Sequence, residues 1–159
     1  MVNSKYVTIA NIDDRRSVCF LENTLKCFEE NNNISLVYSD CIVTDKPNEK
    51  FSDNKLNGTL FEHSLLPFSK ENMIKCLPGP MPFWDTKIND ACGFFDESYK
   101  FANDWEMWLR AVKKGFIFYK NREILGLYLS GGRSDNGFNL DQRKEEAEIF
   151  FNFSNASGS

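Results

Sequence analysis

Residues 34–44, "ISLVYSDCIVT", are a near-continuous apolar and β-branched run. A run of that kind suits a strand in a sheet covered on both faces, not on one. Working outward from it, Ser17 can cap a helix over 17–30, with Phe20, Leu21, Leu25 and Phe28 pointing inward. Before that helix, "KYVTIAN" (5–11) reads as a β-branched and aromatic strand that runs into acidic residues. Strand, helix and strand in succession point to an α/β fold. On the other side, 45–68 is polar and irregular and reads as an excursion over the surface, and Ser69 starts a short helix through residue 77. "LPGPMPFWD" (77–85) is punctuated by Pro and Gly and ends in large apolar groups. "DACGFFDESYKFAND" (90–104) leads into a helix, "FIFYKNREILGLYLS" (116–130) reads as two short strands, and 139–153 as a final amphipathic helix. No internal repeat is visible.

The composition narrows the function. The chain has 159 residues, enough for one domain, and is 42% hydrophobic with fifteen Phe, so an aromatic core is expected. A formal net charge of −4 argues against a nucleic-acid or anionic-membrane surface. No apolar run approaches the roughly 20 residues of a membrane span, and "MVNSKYVTIA" has no long apolar stretch of the signal-peptide kind. The five Cys are odd in number and scattered, with no CxxC pair, so reduced, mostly buried thiols in the cytoplasm are the expected state. The single histidine, His63, lies in a stretch that reads as a loop, which counts against a Ser–His–Asp or Cys–His apparatus.

The helix at "FANDWEMWLRAVKKG" (101–115) carries an apolar stripe of Trp105, Trp108, Leu109 and Val112 at i, i+3, i+4 and i+7. Asn103 can cap it, Glu106 completes a capping-box-like pattern, and Glu106 can pair with Arg110 at i, i+4. Asp104 is left over, in the first turn at the edge of the stripe. It is either a carboxylate favoured by the helix dipole or a base pointed into a site. Asp13 and Asp14 follow the first strand, with Asn11 before them. Paired carboxylates at a strand's carboxyl end suit a hard cation carrying phosphate oxygens, and equally suit a turn before a helix. Gly131, Gly132, Arg133 and Ser134 form a small polar loop that could hold a phosphate through backbone amides and a guanidinium, or be a solvated turn. Trp84 in "GPMPFW" could wall a sugar pocket or pack in the core.

Taken in order, "ANIDDRRSVCFLENTLKCFEENNNISLVYSD", "LPGPMPFWDTKINDACGFFDESYKFANDWEMWLRAVKKG" and "LGLYLSGGRS" resemble the second half of a family 2 inverting glycosyltransferase with the GT-A fold, from about residue 5 to residue 136. The resemblance implies a partial GT-A, Rossmann-like sheet flanked by helices, with residues 1–153 as the metal and acceptor portion and 154–159 as a disordered tail. It implies transfer from a nucleotide-diphosphate sugar donor to a glycan or other hydroxyl acceptor with inversion, assisted by Mn²⁺ or Mg²⁺, in surface polysaccharide synthesis. The expected location is cytoplasmic, including the membrane face.

Carried over residue by residue, "NIDD" matches the family's DxD-like motif. Asp14 would coordinate the divalent ion, Asp13 would contact the nucleotide sugar and share the metal, and Asn11 stands where the family often has another Asp. Asp104 matches the general base, and Glu106 a commonly acidic supporting position. "GFFDE", with Asp96, matches the segment lining the acceptor side, where Trp84 and Trp105 would also lie. "SGGRS" matches the loop that closes over the diphosphate, with Arg133 and Ser134 on the donor. The family's histidine in that loop has no counterpart, and Arg133 is the nearest candidate. The resemblance begins roughly 90 residues into the family's domain, after its first strands and most of its base pocket. An open sheet edge, an exposed apolar face and self-association are therefore expected. The alternative is a catalytically silent fragment that binds a glycan or a protein.

Overall fold

The computed structural model describes residues 4–131 and 139–155. Its strands are β1 (Tyr6–Thr8), β2 (Arg15–Arg16), β3 (Ile34–Thr44), β4 (Phe83–Asp85) and β5 (Ile117–Leu129). Its helices are α1 (Phe20–Glu30), α2 (Lys87–Cys92), α3 (Asn103–Lys113) and α4 (Leu140–Asn155). The α/β reading holds: the five strands form one mixed sheet in the order β1-β4-β3-β5-β2. β3 and β5 are parallel and every other pairing is antiparallel.

β3 is a single strand over all of 34–44, and every residue in it is buried except the half-buried Val43. Its alternating side chains feed two cores. Ile34 and Val37 pack with Cys27 of α1. Leu36 and Tyr38 pack on the other side with Trp84, Trp108 and Phe118. The aromatic core centres on Trp108, which meets Trp84 and Phe118 edge to face at centroid distances of 5.1 and 6.2 Å.

β1 and β2 sit at opposite ends of the strand order, yet the Arg16 guanidinium donates to Thr8 Oγ1 at 3.1 Å and to the Ile9 carbonyl. One side chain can join the two ends only if the sheet curls. The side chain of Met81 packs against Gly126 of β5 in the space a Cβ would take, so a larger residue there would require Met81 to shift.

Several expectations change. The first strand ends at Thr8, not at residue 11, so the "NIDD" segment lies in the connection between β1 and β2. α1 begins at Phe20, and Ser17 Oγ accepts the Cys19 N–H at 3.2 Å ahead of the helix instead of capping it. The stripe that faces the sheet is Phe20, Thr24 and Cys27, while Leu21 and Leu25 are exposed. Thr24 tolerates burial because its hydroxyl donates to the Phe20 carbonyl at 2.6 Å.

The Pro-punctuated stretch ends in β4, which starts directly after Pro82 and pairs with β1 and β3. The two short strands expected over 116–130 are one strand. Its polar middle is absorbed by register shifts opposite Ser39–Cys41, with the Asn121 side chain accepting the Glu123 N–H at 3.0 Å. The last helix runs through Asn155, two residues into the expected tail. Asn139 caps it by accepting from the Asp141 and Gln142 amides at 3.0 and 3.2 Å. Among the described residues no helix is long and apolar enough to cross a membrane.

Candidate functional site

A cavity of about 470 Å³ opens beside the N-terminus of α3. Asn11, Asp104 and Trp105 line it, together with His63, Cys76, Tyr128 and, from α4, Gln142, Arg143 and Glu146. Asp104 reaches it because the α3 stripe anchors the helix: Trp105, Trp108, Leu109 and Val112 are all buried, and the indole of Trp105 donates to the Met73 carbonyl at 2.9 Å. One Asp104 oxygen accepts the Trp105 N–H at 2.7 Å, and the other takes the Cys76 thiol at 3.7 Å. Burial pushes the Asp104 carboxyl above the ordinary carboxylate range, opposed by these two hydrogen bonds. Burial and the Asp104 charge push the Cys76 thiol well up, so it is a protonated donor and not a thiolate nucleophile. A carboxylate in a low-dielectric cavity, with a raised proton affinity, can take a proton from a hydroxyl bound there.

The helix start differs from the expected capping box. Asn103 is the first helical residue, not the cap, and its side chain makes no capping bond. Glu106 turns away from the helix start and holds Arg110 Nε at 2.7 and 2.9 Å, as the i, i+4 spacing indicates. Arg110 in turn donates to the Cys92 and Phe94 carbonyls. The segment that leads into α3 is held by a carboxylate from another helix, described below.

Asn11, Asp13 and Asp14 lie in the β1–β2 connection. Asn11 Nδ2 donates to Asp14 Oδ2 at 2.8 Å, and the other Asp14 oxygen accepts the Leu129 N–H at 3.3 Å. Burial is the main cause that raises the Asp14 carboxyl above its usual value. Asp13 is exposed beside it. Among the described residues no group of three or more His, Cys, Asp or Glu could hold a metal ion. The donor set of Asp13 and Asp14 still fits Mg²⁺ or Mn²⁺ of one kind, an ion bound through one or two carboxylates whose shell substrate phosphates complete.

The remaining expected site residues lie elsewhere. Trp84 is buried in the aromatic core, with its indole donating to Asn89 Oδ1 at 2.8 Å. Asp96 is exposed and accepts the Ser98 N–H and hydroxyl at 2.9 and 2.7 Å. Glu106 lines a separate small pocket with Arg110. Arg133 and Ser134 lie outside the described residues.

The cavity also brings in residues that the sequence did not single out. His63, read as a loop residue, is half-buried there, and burial followed by the Lys75 ammonium holds it below its ordinary value. Cys76 is a scattered thiol with no motif. Gln142, Arg143 and Glu146 are polar positions on an amphipathic helix, where charge ordinarily marks the solvated face. Only their periodicity hinted at a shared side.

No family model and no curated protein matches the chain. Among solved structures it resembles the crystal structure of S. aureus TarS 1–349 in complex with UDP-GlcNAc, with a TM-score of 0.64 and 12% sequence identity. The match covers 93% of this chain and 42% of that one, so the chain spans less than half of that structure's length. The likeness is one of architecture: a curled mixed sheet with flanking helices.

Proposed function

We propose that the chain forms the metal and acceptor portion of a family 2 inverting glycosyltransferase. It transfers a hexosyl group from a nucleotide-diphosphate sugar to an acceptor hydroxyl in surface polysaccharide synthesis. The observation that carries this reading is Asp104, held by a buried helix with its carboxyl raised by desolvation, on a cavity that Asn11 of the β1–β2 connection also lines. The fold of a protein crystallised with UDP-GlcNAc supports a nucleotide-sugar donor.

In this reading Asp104 takes the proton of the acceptor hydroxyl as that oxygen attacks the anomeric carbon, so the centre inverts in one displacement. Trp105 and Tyr128 line the same cavity and offer apolar faces to a sugar ring. Asp14, with Asp13, would hold Mn²⁺ or Mg²⁺, which supplies charge neutralisation at the diphosphate. Asn11 orients Asp14, and Arg133 and Ser134 belong to the loop over the diphosphate.

The test is calorimetric titration of UDP-sugars, with and without Mn²⁺, into wild type and into Asp13→Asn/Asp14→Asn. Metal-dependent binding that the double variant loses is the expected result. Metal-independent binding, or none, would favour a silent glycan- or protein-binding fragment instead.

A further inference from the structure

Glu145, in the second turn of α4, accepts three consecutive backbone N–H groups. Lys100 donates to Oε2 at 2.8 Å, and Phe101 and Ala102 both donate to Oε1 at 2.7 Å. These amides lie just ahead of α3, at its boundary residue Ala102 and the two residues before it, while the first-turn amide of Trp105 is taken by Asp104 itself. The side chain of the α3 boundary residue makes no capping bond. A further negative charge, beside Asp104 and Glu106 of the first turn, is thus brought to the α3 N-terminus by a different helix. Asp104 lies two residues beyond Ala102. On the same stretch of α4, Gln142 and Arg143 donate to the two oxygens of Glu146 at 2.9 and 3.1 Å, and these three residues line the cavity that Asp104 faces. Adjacent carboxylates of one helix thus do separate things: Glu145 grips the start of α3 and Glu146 faces the cavity.

We propose that Glu145 is a positioning residue for Asp104. Its carboxylate fixes the segment that enters α3, and through it the Asp104 carboxyl at the cavity, so α4 is part of the site and not merely its cover. The proposal rests on Asp104 being the base. A helix whose entering segment is held by a charged group from a distant part of the chain has its starting point defined by tertiary contact. Fraying at that point would expose Asp104 further to water and let its carboxyl wander.

The experiment follows two variants of the chain. Glu145→Gln keeps one accepting oxygen, and Glu145→Ala keeps none. Amide exchange at Lys100, Phe101 and Ala102 should rise about 10-fold or more per lost charged bond. In carbon-detected NMR titrations the Asp104 carboxyl should move down toward its ordinary value, further in Glu145→Ala than in Glu145→Gln. Where turnover is measured, kcat should fall with little change in the donor KM. Ile149→Ala, which hollows the buried contact of α4 without touching the three bonds, should lower stability and leave the Asp104 titration in place.

If the amides exchange faster while the Asp104 titration and kcat stay at wild-type values, Glu145 is only structural and the proposal is overturned. Should Glu145→Ala fail to fold, Glu145→Gln decides by the same readings. An Asp104 titration that follows Glu145, in an enzyme where Asp104→Asn still transfers normally, would sink the base assignment and leave the positioning role standing.

Discussion

Asp104→Asn separates chemistry from folding with one isosteric change. Asparagine can keep an oxygen on the Trp105 N–H, and its amide can face Cys76 Sγ where a thiol now meets a carboxylate. The helix keeps its stripe, because the side chains that hold it are buried and distinct from residue 104. The dipole contribution that is lost is about 0.3–1 kcal/mol, and removing a desolvated carboxylate acts in the opposite sense. For a chain of this size a net 1 kcal/mol moves the melting temperature by about 2–4 °C, so Tm should stay within that range at neutral pH.

The pH dependence gives a second reading. A carboxyl whose folded pKa lies above its unfolded value binds its proton more tightly in the folded chain. Its contribution therefore favours folding at low pH and is lost as pH rises from about 4 through the folded value. Asparagine does not titrate, so the stability of wild type relative to the variant should fall across that window. Transfer, assayed as nucleoside diphosphate released from a UDP-sugar with an acceptor present, should drop about 10²–10⁴-fold, the usual worth of a positioned base. Near-normal transfer would place the base elsewhere. Loss of the folded state, or a relative stability that rises with pH, would refute the account of this carboxyl's environment.

Gly79→Ala should destabilise by about 1–3 kcal/mol in urea unfolding, because φ there is +50° and a Cβ would lie 2.7 Å from Ser64 Oγ. Lys120→Met should cost about 3–5 kcal/mol by the same measurement. It removes the ammonium that pairs with the buried Asp40 and reaches the Ser64 carbonyl, and leaves a carboxylate unpaired. Native thiol titration with an aromatic disulfide should modify Cys19 first, since it is the exposed cysteine among four buried or half-buried ones; Cys41 reacting as fast would contradict its burial. Cys76→Ser should retain the fold and shorten the contact to Asp104, and Glu106→Gln should cost less activity than Asp104→Asn, as its carboxylate is spent on Arg110.

The sequence by itself determined what depends on neighbours along the chain. The β3 strand over 34–44, the α/β class, the α3 stripe and the Glu106–Arg110 pair are period and spacing effects, and each stands in the structure as expected. What it could not decide depends on residues far apart. α1 turns Thr24 to the sheet and Leu21 to solvent because the curl of the sheet sets the helix rotation, and two apolar stripes on one helix look alike in sequence. β4 hides in a Pro-rich stretch because its strand character comes from β1 and β3 on either side. Asn103 is not the cap: Asp104 accepts the Trp105 N–H within the first turn, and Glu145, a residue with no sequence signal, accepts the three amides that lead into the helix, because a carboxylate on a packed neighbouring helix can reach all three. The cavity itself is a tertiary object: Asn11, His63, Cys76, Asp104 and Glu146 come from five separate segments. Only the packing of α4 and the curled sheet around α3 brings them to one wall.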